Sequence, residues 1–192
     1  MYLIYHPKRD LYITNSLKIY HDKFGEKNED PYLWNDKFLH SYCHITKIKS
    51  EIGDINFWVS GDTFPNFKHL YCDCVFVVKE KIYWKTANEI IVTDKIVDNA
   101  QSYKHHYYWG NIQHAFKRRK RFTLKANEET SFQPQDTNGL LIDIVPFLIK
   151  CGLSLMQLNN NMKAGFQAKP LKLDPNIAHL LYKHLASNSF IK

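Results

Sequence analysis

The sequence has no apolar run of the ~18–20 residues that a membrane-crossing helix needs, and its first ten residues include His6, Lys8, Arg9 and Asp10 where a secretory leader would be apolar. The expectation is an intracellular, cytoplasmic protein with no membrane partner. Cysteine is sparse. Cys43, Cys72, Cys74 and Cys151 are too few and too irregularly spaced to staple a chain of 192 residues, because disulfide frameworks belong to small secreted domains; they read as reduced, packed thiols. A Gly-rich phosphate loop, a Gly-x-Ser-x-Gly elbow and a His-Glu-x-x-His pair are also missing, which removes support for the common nucleotide-binding, serine-hydrolase and zinc-protease classes. The chain has no internal repeat and no low-complexity tract.

The most informative absence is of acid. Between Asn99 and Asn127 there is no Asp or Glu, while Lys104, Lys117, Arg118, Arg119, Lys120, Arg121 and Lys125 are all cationic. The formal net charge of +7 is thus partly local. The same stretch holds His105, His106, Tyr107, Tyr108 and Trp109, in a chain whose aromatic content is 15%. Cations neutralise phosphates and release counterions, and Tyr or Trp faces stack on unpaired bases, so the combination points to nucleic acid, DNA first. The alternative is a solvated basic segment at the edge of an aromatic core. No amphipathic apolar face accompanies the charge, which argues against a lipid tether.

With 44% hydrophobic and 23% charged residues the chain has the composition of a globular protein, and its length fits one domain, residues 1–192. Tyr2–Tyr5 and Leu11–Ile13 are β-prone, with Pro7–Asp10 as a turn, so a first hairpin is expected. Ile55–Val59 and Cys72–Val78 read as adjacent strands. Lys79–Lys81 is expected to turn before a strand at Ile82–Trp84, with further β-prone pieces at Ile90–Val92 and Phe122–Leu124. Three helices follow, over Leu140–Lys150 (shortened or kinked at Pro146), Leu155–Lys163 after Ser154, and Asn176–Ala186 after Asp174-Pro175. Strands first and helices last give an α+β fold: a curved, mainly antiparallel sheet or partial barrel over 1–125, a loop over 126–139, and a helical cap over 140–192. The first two helices could form a helix-turn-helix, but the second carries only Lys163 as a charge, which favours the cap.

In the segment Ile48–Gly61 a Gly53-Asp54 turn feeds the aromatic strand Asn56-Phe57-Trp58, which stops at a second Gly-Asp, Gly61-Asp62, before the apolar strand Cys72–Val78. These residues resemble the nucleotide modification associated domains of phages and bacteria and, more distantly, the PUA-like barrels. The resemblance covers about 45 residues, and Gly-Asp turns of this kind recur in many β-proteins. It implies recognition of a modified or flipped base in a DNA-modification or anti-phage setting, and by position it carries over Trp58 and Asp62 as pocket residues. The sequence departs from the family pattern in that Trp58 stands four residues after Asp54 instead of beside it. Independently of any family, Asn56 and Trp58 share one face of their strand, an amide and a stacking plane that suit a base; a core Trp with Asn56 at a strand edge is the plainer reading.

If the protein processes bases, as a DNA glycosylase or nuclease, an acid or base must sit near the sugar or phosphate. Asp62, His69 and Asp73 are the first candidates, with His105, His106 and Asp136 behind them, though Asp73 could simply mark a sheet edge. Adjacent His105 and His106 cannot both face one site on a regular element. For zinc, Cys72 and Cys74 near His69 have poor spacing, because alternate strand residues form no chelating turn; neither a metal nor any other cofactor is expected. A third class, docking of an acidic protein through Lys117–Arg121, is also open.

Overall fold

A computed structural model describes residues 1–6, 10–14, 17–21, 41–42, 48–61, 66–83, 122–163 and 169–189. The strands are β1 (Tyr2–His6), β2 (Asp10–Thr14), β3 (Leu17–His21), β4 (Ser41–Tyr42), β5 (Ile55–Gly61), β6 (Leu70–Tyr83), β7 (Phe122–Ala126) and β8 (Leu171–Lys172). The helices are α1 (Val145–Lys150), α2 (Leu155–Met162) and α3 (Pro175–Asn188). Six strands form one open sheet in the order β4-β7-β6-β5-β1-β8, while among the described residues β2 and β3 pair with each other alone. Only β1 and β5 run parallel, so the sheet is mixed and mainly antiparallel. The chain is α+β.

The first hairpin is not the expected one. β1 leaves β2 and enters the sheet between β5 and β8, and the hairpin is β2 with β3. The reason is burial on two faces: Leu3 and Tyr5 join the core beneath the helices, and Tyr2 and Ile4 join the opposite one. Burying four such side chains contributes roughly 1.5–3 kcal/mol each, whereas an isolated two-stranded ribbon is marginal in water. The turn expected at Lys79–Lys81 is also absent, because β6 runs unbroken to Tyr83 and takes up the irregularity as a register shift against β7 between Val78 and Glu80. The Ile90–Val92 piece lies outside the described residues.

The helices fit their punctuation. α1 begins at Val145, so Pro146 sits in its first turn and does not kink it. Ser154 forms a reciprocal capping box with Gln157, and Asp174 caps α3 through the Asn176 N–H at 2.8 Å. Val145, Leu148, Leu158, Met162, Ala178, Leu181 and Leu185 pack with Phe57, Val59 and Val75 on one sheet face, which makes the helices a cap. No helix among the described residues is long and apolar enough to cross a membrane.

Candidate functional site

Strand parity divides β5 between two environments. Ile55, Phe57 and Val59 face the helices, and Asn56, Trp58 and Ser60 face away. On β6 the parity changes midway. Trp58 pairs with Cys74 while Val59 pairs with Cys72, so Asp73 is an extra residue, a β-bulge. Cys72 consequently belongs to the core under the helices and Cys74 to the opposite core, so these alternate residues do not share the face that a regular strand would give them. Burial raises both thiols, Asp73 adding to the effect, so they stay protonated, and Cys72 Sγ donates to the Cys74 carbonyl at 3.6 Å. Among the described residues no three His, Cys, Asp or Glu side chains converge as a metal would require.

Asp73 is not at a sheet edge. It is buried in the sheet interior, where its carboxylate accepts from Ser60 Oγ at 3.0 Å. Its main-chain carbonyl accepts from Gln133 Nε2 at 3.3 Å, and Gln135 Nε2 donates in turn to Gln133 Oε1. Three buried polar side chains, Ser60, Gln133 and Gln135, thus surround the bulge. The segment holding the glutamines reaches it because Phe132 bridges Val75 and Asp143 bridges Tyr71 along β6.

Asn56 and Trp58 share a face, as expected, but that face is closed. Trp58 is 1% exposed and packs on Phe76, with ring centroids 5.3 Å apart and planes tilted by 51°. In this conformation its ring belongs to the core. Asn56 is fully buried, not at a strand edge; its Oδ1 accepts from Ser50 Oγ at 2.9 Å, and its Nδ2 has no hydrogen-bond partner. A buried amide with an unmatched donor costs about 1–3 kcal/mol, which marks it as the least satisfied polar group on this face.

His69 lies apart from that face, just before β6. Its Nδ1 is 2.8 Å from Asp143 Oδ2, and its side chain is 52% exposed. The carboxylate is itself held, since Asp143 Oδ1 accepts from the main-chain N–H groups of Leu70 and Val145, each at 3.0 Å. A carboxylate fixed by two backbone donors and bonded to Nδ1 orients the imidazole, an arrangement suited to general acid–base work. Asp143 was not legible as a partner of His69, 74 residues away, although an Asp shortly before Val145-Pro146 is a helix-start signal.

The structure therefore brings Asn56, Trp58 and Asp73 to one sheet face and places His69 with Asp143 at the sheet's end. Asp62 lies outside the described residues. So do Lys104, Tyr107, Tyr108, Trp109, Lys117, Arg118, Arg119, Lys120 and Arg121, and with them His105 and His106. Of the cations of the acid-free stretch, Lys125 alone lies among the described residues, 4.0 Å from Glu80 on the neighbouring strand, with both side chains well exposed. A surface pair of that kind contributes little. No family model, no curated protein and no solved structure matches this chain.

Proposed function

We propose that this cytoplasmic protein binds nucleic acid, DNA first, and recognises a modified or flipped base in a DNA-modification or anti-phage setting. The observation that carries the reading is the stretch 99–127, in which seven cations and the rings of Tyr107, Tyr108 and Trp109 occur without one carboxylate. Lys104 and the run Lys117, Arg118, Arg119, Lys120 and Arg121 hold phosphates, and the neighbouring rings stack on bases. A strongly curved sheet or partial barrel, the form of the PUA-like readers, belongs to the same proposal.

Charge reversal at Arg118, Arg119 and Arg121 together tests the reading. Affinity for a labelled duplex falls steeply, and the slope of log K against log salt shrinks by about 0.9 for each phosphate that is no longer neutralised. Unchanged binding of both DNA and RNA refutes it. A duplex carrying a modified base, compared with its canonical counterpart, reads the base preference separately.

A second reading, a base-processing enzyme of the glycosylase or nuclease kind, draws on the orientation of His69 by Asp143 and on the buried carboxylate of Asp73. Incubation with canonical and modified DNA, with and without a divalent metal, yields base release or strand cleavage if it holds, and His69→Ala abolishes the activity. No product from any substrate removes it. Docking of an acidic protein on Lys117–Arg121 would instead give a complex with no nucleic acid present.

A further inference from the structure

The basic stretch is not the sole concentration of positive charge. From Ile144 to Lys192 the chain has six lysines, Lys150, Lys163, Lys169, Lys172, Lys183 and Lys192, against one acid, Asp174. Together with residues 99–127 this segment holds thirteen of the 26 Lys and Arg and one of the 19 Asp and Glu, so the remainder of the chain is net negative. The single acid is engaged by its own helix, as the cap of α3.

The fold gives this charge a location. α1, α2 and α3 bury one side each against the same sheet face, so their other sides form the outer surface of the helical layer. Lys150 at the end of α1, Lys163 directly after α2 and Lys183 on α3 are all exposed. Among the described residues none of the three has a carboxylate within ion-pair distance. α1 and α3 are neighbours, since Phe147 stacks on His184 with ring centroids 4.7 Å apart, and the Lys150 charge is felt by His184. The exposed positions of α2 and α3 include amides and an imidazole, Gln157, Asn160 and His179, side chains able to donate hydrogen bonds to phosphate oxygens.

We infer that the outer face of the helical layer, through Lys150, Lys163 and Lys183, is a second phosphate-contacting surface for nucleic acid, separate in sequence from the basic run. The inference rests on the reading of the protein as a nucleic-acid binder and extends its footprint. Charge complementarity selects a polyanion: the three cations are opposed within the layer by one acid, Asp174 at the start of α3, so the field of the layer is predominantly positive. A nucleic acid fits better than an anionic membrane. The exposed large apolar residues of the layer, Ile149, Met156 and Leu180, come one to each helix, far from the continuous apolar face with which an interfacial helix enters lipid.

The test is a salt titration of a labelled DNA duplex with the full chain, comparing the combined Lys150→Gln, Lys163→Gln and Lys183→Gln variant with the wild type. Removing the three cations lowers the magnitude of the slope of log K against log salt by about 2 to 3, while circular dichroism and the melting temperature stay at wild-type values. The matched Lys→Arg variant, which keeps the charge, retains the wild-type slope. A Gln variant with an unchanged slope overturns the inference, and if reversal of Arg118, Arg119 and Arg121 still weakens binding, the functional reading stands without it. A wild type that shows no salt-dependent binding of DNA or RNA overturns both. Loss of binding to phosphatidylglycerol vesicles in the Gln variant, with DNA binding intact, overturns the inference in favour of a membrane surface.

Discussion

At the scale of single residues the polar groups of the buried sheet face are unevenly satisfied. Ser60 donates to Asp73 at 3.0 Å, whereas Asn56 keeps one amide hydrogen bond with Ser50 and leaves its Nδ2 unmatched. The cost of disturbing each differs accordingly. Ser60→Ala removes one buried hydrogen bond, which contributes about 0.5–1.5 kcal/mol; the variant is expected to lose stability of that order in urea unfolding, with an unchanged m-value. If the midpoint does not move, the Ser60–Asp73 hydrogen bond contributes nothing to the native state. Asp73 could be named from the sequence as a candidate, but its burial could not. A single acid in an apolar strand reads equally well as an edge residue, and only the bulge opposite Trp58 and Val59 turns it inward beside Ser60.

At the scale of elements, the packing of α1 on α3 introduces a pH dependence. His184 stacks on Phe147 and lies near Lys150, and burial first, then the lysine charge, lowers its pKa from the ordinary 6.5. The folded state thus binds this proton less readily than the unfolded chain. The contribution is intact above the unfolded value and is lost as the pH falls through 6.5 towards the depressed folded value. Thermal melts from neutral to mildly acidic pH are expected to show wild-type stability falling more than that of His184→Gln. Parallel curves for the two proteins would exclude His184 as the source. The boundaries of α2 and α3 were well marked in the sequence, because Ser154, Asp174 and Pro175 act within one turn of where they stand, whereas α1, expected from Leu140, begins at Val145 without a side-chain cap. The partner of each helix face was not, since Phe147 and His184 meet across 37 residues of chain.

For the whole molecule, charge is segregated along the chain: two segments are strongly cationic and the rest carries the excess of acid. Like charges held together destabilise a compact state, and a polyanion that binds only the folded form relieves the repulsion. Duplex DNA at low salt is therefore expected to raise the melting temperature, by an amount equivalent to about 2.7 kcal/mol at a hundredfold excess over the dissociation constant, and the shift should vanish as salt is raised. A shift that persists at high salt points away from phosphate binding and towards a site of another kind. No shift at low salt counts against folded-state binding altogether.

The sequence alone determined the class of the fold, the pairing of β5 with β6, the helical cap and the distribution of charge. Each of these depends on composition or on neighbours within a few residues: β-branched runs, capping residues, and the missing acids of residues 99–127. Tertiary structure decided the rest. It took β1 away from the expected hairpin because both of its faces could be buried, and it enclosed Trp58 and Asn56 where a strand pattern showed only that they share a side. It also joined His69 to Asp143. Local patterns fix which residues lie on one face, but what covers that face depends on packing between segments distant in the chain, and this has no local signature.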